Sequence, residues 1–288
     1  MFFRSFIRGK SIIVFNSIEP LKVLEKAIYF AKKNFKILVI LHNGDLIYKK
    51  KYKDFLHLKN VKVFALSELV RDYLIGEGLI KVKLMAPVFF NHKNIEHNNS
   101  RTTFTVQGNV NFRRRNYTSL IKAVEKLVKV DKLENFIVKI LGNSNTAEGK
   151  IIKDEINNKK LEKYFYFFDQ KLDYQKFYNE VQISDYLLVL QDTTSITYSP
   201  YFKFKSSAVI NVSLGFNKIM IMHREQSEIN KLEKMSILYE DDKLSDAMLY
   251  ALNMPEEKRK KMESLLVGRR DMLLKKSVSN VNEVLNQL

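Results

Sequence analysis

The chain has 288 residues and carries 49 Lys and Arg against 32 Asp and Glu, a net charge of +17. Apolar residues make up 45% of it and charged residues 28%, a globular composition and not a disordered one. It has no cysteine, which excludes a disulfide framework, a thiolate metal site and a cysteine nucleophile, and no apolar run approaches the ~20 residues that span a bilayer.

The first fifteen residues are interrupted by Arg4, Arg8 and Lys10 and lack the apolar centre and cleavage site of a signal peptide. Residues 11–15 read as a strand. Apolar residues at 21, 24, 28 and 31 then recur at helical spacing over 19–33. Strands follow at 36–41 and 61–65, and Ser67 with Glu68 suits the start of a helix over 67–75. Residues 82–85 close this half. The polar, Asn-rich stretch 90–103 has no periodicity and reads as a linker. Beyond it, strands are expected at 103–107, 136–141, 164–168, 186–190 and 218–222. Helices are expected at 117–130, 147–157, 174–181, 207–214 and 227–234, with a wholly helical end from about 244. Apolar strands separated by helices imply parallel sheets covered on both faces. The expectation is therefore α/β: two Rossmann-like domains over 1–99 and 100–288, the second with C-terminal helices. Only one strand precedes Ile37, so the first domain is expected to be abbreviated, or its start to lie upstream of Met1.

A strongly basic chain attracts polyanions, whether nucleic acid, an anionic membrane face or phosphorylated ligands. Residues 1–100 hold 18 Lys and Arg against 8 Asp and Glu, so the excess is densest there. The basic residues are spread over many elements, which argues against nucleic acid.

Ligands in such sheets bind outside the carboxyl ends of strands. The first loop there contains Gly108, Asn109, Arg113, Arg114 and Arg115, just before the helix at Tyr117. Glycine allows close approach, and three guanidiniums beside a helix N-terminus suit phosphate, although a solvated basic loop would read the same way. The second loop, with Tyr201, Ser206 and Ser207, leads into the helix bearing Asn211. Ser206 and Ser207 are expected to cap that helix and Gly215 to end it. Gly142 and Asn143 follow another buried strand, where a simple turn is equally consistent. Asp169 ends the aromatic strand and is expected to approach a base. His42, before the Asn43-Gly44 turn, stands at the end of the strand 36–41. His92 and His97 lack partners at ligand spacing, and no phosphate-loop, dinucleotide or zinc-protease motif occurs.

Taken in order, "FTVQGNVNFRRRNYTSLIKAVEKL", "FIVKILGNS", "YFYFFDQ", "ISDYLLVL" and "SSAVINVSLGFNKIMIM" resemble the nucleotide-sugar domain of GT-B glycosyltransferases of the group-1 or family-4 style. "ILVILHNGD" and "VKVFALSELVRDYLIGEGL" resemble later parts of the acceptor domain of the same fold. The resemblance implies a hexosyltransferase that moves a sugar from a UDP- or GDP-sugar to a hydroxyl of a polysaccharide or glycolipid precursor, as in bacterial surface-polysaccharide synthesis. It implies no cofactor and no metal. It places the pyrophosphate-binding cation at Arg115, and the two carboxylates of many retaining members at Phe204 and Asn211, which carry none. That departure leaves a non-catalytic partner subunit of a larger transferase as the alternative. A cytoplasmic protein resting on the inner face of the membrane is the implied location.

Overall fold

The computed structural model describes residues 2–7, 10–90, 100–191 and 198–287, without the side chains of 2–7, 10, 11 and 198. Most of the expected linker, with His92 and His97, therefore lies outside the described residues. The first part of the chain forms β1 (Phe2–Ile7), β2 (Lys10–Phe15), α1 (Leu21–Lys32), β3 (Lys36–Leu41), α2 (Lys50–Leu56), β4 (Val61–Ala65), α3 (Glu68–Gly76) and β5 (Val82–Leu84). The remainder forms β6 (Thr102–Val106), α4 (Tyr117–Lys129), β7 (Phe136–Asn143), α5 (Ala147–Asn158), β8 (Phe165–Phe168), α6 (Tyr174–Gln182), β9 (Tyr186–Leu188), α7 (Tyr198–Lys203), α8 (Ala208–Phe216), β10 (Ile219–His223), α9 (Arg224–Asn230), β11 (Ser236–Tyr239), α10 (Leu244–Leu252) and α11 (Glu256–Gln287).

These elements divide into two compact units. The first contains residues 1–88, 200–207 and 271–288, and the second 89–199 and 208–270. The units are not contiguous in sequence, as the expected spans 1–99 and 100–288 are.

The sheet of the first unit has the order β1-β2-β3-β4-β5, with β1 antiparallel to β2 and the remaining pairs parallel. Strand β1 was not expected. Strands β2 to β5 follow one another in sequence and in space. Right-handed crossovers then put every connecting helix on one face. On that face Leu24 and Ala27 of α1, Phe55 of α2 and Val70 and Leu74 of α3 cover Ile13, Phe15, Ile37, Val39 and Val63. The opposite face presents Ile12, Leu38, Ile40, Phe64 and Leu66, and the end of α11 covers it with Val281, Val284 and Leu285. This packing is why the segment 271–288 belongs with the first unit. Ser277 ties the helix down, its Oγ accepting the Ala86 N–H at 3.0 Å and donating to Leu273 O. Asn280 donates to Leu84 O, and Lys83 pairs with Glu283.

The second sheet has the order β11-β10-β9-β6-β7-β8, and all its strand pairs are parallel. The chain winds outward from β6 through β7 to β8, then returns to β9 on the other side of β6. The winding reverses between β6 and β9, which makes their carboxyl ends a topological switch point. Several details differ from expectation. Gly215 lies inside α8 instead of ending it: a Cβ there would run into the Phe90 ring, and the left-handed residue after the helix is Asn217, φ 54°. Residues 198–203, expected as loop, form α7, and α9 begins at Arg224 in place of 227.

Candidate functional site

At the switch point, β6 ends at Val106 and the chain turns through Gly108, whose φ of +88° lies in the region only glycine adopts freely. The Arg115 guanidinium lies over this glycine, so a Cβ at 108 would overlap it. Arg115 Nη1 donates to the Asn109 carbonyl at 2.8 Å. Gly142, buried at the end of β7, sits so close to this loop that a Cβ there would overlap the Gly108 carbonyl and lie 2.9 Å from the Val110 nitrogen. The loop is braced further: Asn111 Oδ1 accepts from Arg113 N at 2.9 Å, and Glu148 Oε1 accepts from Phe112 N at 3.1 Å. Arg113 and Arg114 are exposed, whereas Arg115 is half-buried.

Asn116 completes the turn. Its side chain caps α4 by accepting from Ser119 N at 2.8 Å, and its own N–H donates to Leu190 O, just beyond β9. One residue thus joins the two strands flanking the switch point. The N-x-x-S spacing carries this cap, and the sequence reading passed over it. Beneath the loop, Tyr117 is fully buried and its phenol is pushed up to about 12 by that burial. A buried amide pair, Gln226 Nε2 to Gln191 Oε1 at 2.8 Å, lines the neighbouring strand ends.

Asn143 folds back on its own loop, accepting from Asn145 N. The Asp169 carboxylate is bridged by Lys153 at 2.6 Å and by the Ser144 hydroxyl at 2.9 Å, and both hold its pKa below the usual carboxylate range. Asn211 is buried in the first turn of α8.

The other predicted residues assemble in the first unit. His42 Nε2 lies 2.8 Å from Asn16 O. A carbonyl only accepts, so Nε2 is the donor in this contact, and the tautomer that makes it has its lone pair on Nδ1. The His42 carbonyl accepts from Ser206 N at 3.0 Å, Gly44 N donates to Phe204 O at 2.7 Å, and Asn43 forms an antiparallel bridge with Lys205. Ser206 therefore spends its amide on His42. Ser207 is buried beside it, and Lys205 lies over the Tyr201 ring. The structure thus brings His42 together with the loop of Tyr201, Ser206 and Ser207 in one unit, and gathers Gly108, Asn109, Arg113–Arg115 and Gly142 in the other.

No family model matches the sequence, and no curated protein matches it. Solved structures do. One is described as trehalose-6-phosphate from E. coli bound with UDP-2-fluoro glucose; it superposes with a TM-score of 0.63 at 12% identity, over 98% of this chain and 74% of that one. A glycosyltransferase from Rickettsia africae gives 0.64 at 14%, over 96% and 76%. A UDP-forming alpha,alpha-trehalose-phosphate synthase from Burkholderia xenovorans in complex with glucose-6-phosphate gives 0.64 at 9%, over 97% and 75%. The chain has the GT-B fold. Both GT-B units are Rossmann-like, as expected. At the two positions where the resemblance puts carboxylates, Phe204 gives its carbonyl to Gly44 and its ring to Tyr73, with 5.4 Å between centroids, and Asn211 is an amide inside α8.

Proposed function

We propose that the chain transfers a sugar from a UDP- or GDP-sugar to a hydroxyl of a glycan or lipid-linked acceptor. The observation that carries this reading is Arg115, held over left-handed Gly108 at the switch point, directly ahead of the thirteen-residue helix α4. As the donor's glycosidic bond breaks, negative charge collects on the leaving diphosphate. A guanidinium fork and a helix N-terminus meet that charge where it forms. Arg113 and Arg114 add to the field. Among the described residues no group of three His, Asp or Glu side chains is arranged for a metal ion. Nδ1 of His42 is the group that accepts the proton of the acceptor hydroxyl. Superposition on a structure holding a UDP-sugar analogue supports a donor of this class.

Peripheral contact with an anionic membrane belongs to the same proposal. Lys22, Lys26, Lys32 and Lys33 of α1 and its cap are exposed, as are Lys49, Lys50, Lys51 and Lys53 at α2. No helix among the described residues is long and apolar enough to cross a membrane.

Calorimetric titration with UDP and with GDP tests the donor site. Wild type should bind one of them, and Arg115→Ala should lose about 1.5–3 kcal/mol, the worth of a charged hydrogen bond. Binding of neither nucleotide removes the reading. Phe204 and Asn211 favour a second one, a partner subunit that keeps the fold without turnover. Transfer and donor-hydrolysis assays on the purified chain separate the two: nucleotide binding with no turnover, and co-purification with a larger transferase, selects the subunit.

A further inference from the structure

One carboxylate of the second unit stands where electrostatics alone would not put it. Glu148 lies in the first turn of α5, half-buried, and its Oε1 accepts from Phe112 N at 3.1 Å. Phe112 immediately precedes the three arginines. Among the described residues Glu148 forms no ion pair, with those arginines or with any other cation. A negative charge beside a loop that receives a diphosphate repels the ligand, so the residue has to do something there that outweighs the repulsion.

The place of Glu148 is built. Thr146 caps α5, its Oγ1 accepting from Gly149 N at 3.0 Å. Gly149 is buried and lies so close to the end of β7 that a Cβ there would overlap the Ser144 carbonyl. A larger residue at 149 would push the first turn of α5, and Glu148 with it, away from the loop. What Glu148 then does is local. Three consecutive amides have partners: Phe112 N has Glu148, Arg113 N has Asn111 Oδ1 and Arg114 N has Asn111 O. The last two bonds are internal to the loop and move with it, whereas the bond to Glu148 ties the loop to another helix. The Phe112 ring is held as well, edge-on to the buried Tyr117 ring at 5.9 Å. The backbone is thus fixed just where the guanidinium side chains leave it.

We propose that Glu148 is a positioning residue for the leaving diphosphate: through the Phe112 amide it holds the arginine loop in its anion-binding form, although its own charge repels the ligand. The proposal rests on the donor-site reading above and adds that the loop is organised before the donor arrives. The two effects of Glu148 are separable, because glutamine keeps an accepting oxygen and drops the charge.

Calorimetric titration of the full chain with UDP, GDP and inorganic pyrophosphate reads the effect in wild type, Glu148→Ala and Glu148→Gln. Thermal melting by circular dichroism confirms that each variant is folded. Glu148→Ala should bind the nucleotide that wild type takes at least about fivefold more weakly, the loss of one hydrogen bond, and its Phe112 amide should exchange faster. Glu148→Gln should bind it at least as tightly as wild type, because the bond remains and the repulsion is gone. Equal affinities in wild type and Glu148→Ala overturn the inference, and so does a loss in Glu148→Gln as large as that in Glu148→Ala; either leaves the donor reading standing. If wild type binds neither UDP nor GDP, the donor reading falls and pyrophosphate decides on Glu148. Pyrophosphate affinity lost in Glu148→Ala and kept in Glu148→Gln upholds the positioning role, and affinity that is absent or the same in all three overturns it.

Discussion

Two glycines stand back to back at the switch point, and their substitutions should part company. Gly142 faces backbone: a Cβ there meets the Gly108 carbonyl and, at 2.9 Å, the Val110 amide. Backbone does not swing aside, so Gly142→Ala should lower stability by about 1–3 kcal/mol in urea unfolding. Gly108 faces a side chain that can move. Gly108→Ala should cost about 1–2 kcal/mol for its left-handed φ, displace the Arg115 guanidinium, and weaken UDP binding nearly as far as Arg115→Ala does. If UDP affinity survives in Gly108→Ala, Arg115 is not held for phosphate by this contact. Much of this site was legible at the level of residue type. A glycine after a buried strand, followed by three arginines and a helix, is the pattern from which the phosphate reading is drawn. The resemblance singles out Arg115 among the three, but its contact with the glycine is not written in the sequence, because that depends on Asn109 offering its carbonyl across six residues.

Elements with strong periodicity, such as α1, α3, α4 and α5, emerge close to where the apolar pattern puts them. Those the reading missed are short and take their form from neighbours. Strand β11 has four residues and exists because β10 offers a parallel edge. Helix α2 has seven residues with four lysines or acids among them, too short for a period to show, and it is set by Tyr52, Phe55 and Leu56 reaching the core. The end of α11 illustrates the opposite case, a clear helix whose partner is invisible in sequence. Its fit on the first unit turns on Ser277, which satisfies a buried backbone amide almost two hundred residues away. Ser277→Ala leaves the Ala86 N–H without that acceptor and should cost about 1–3 kcal/mol. Hydrogen exchange at Ala86 is the direct readout, and unchanged protection there would show that the bond is unimportant.

For the molecule as a whole, the acid limb of stability follows from carboxylates held below their ordinary pKa. Lys129 and Lys159 act on Glu125, Lys153 and Ser144 on Asp169, Lys126 on Asp246, Arg259 on Glu256 and Lys83 on Glu283. A lowered folded-state pKa means that the stability is fully present above the unfolded values, 4.5 for Glu and 3.8 for Asp, and is lost as pH falls through the folded ones. The melting temperature should therefore stay level from neutrality to about pH 5 and drop below it. Glu125→Gln should melt lower than wild type at neutral pH, with the gap closing near pH 3; a gap that persists there would exclude the ion pairs as its cause. The second face of the first sheet, which the end of α11 covers among the described residues, has a temporal consequence as well. At about 5–20 residues per second, a ribosome reaches that helix end roughly 10–40 s after β5 has been made. The half of the protein synthesised first is thus the half that finishes folding last, and Leu38, Ile40 and Phe64 spend that interval uncovered, or in the keeping of a chaperone.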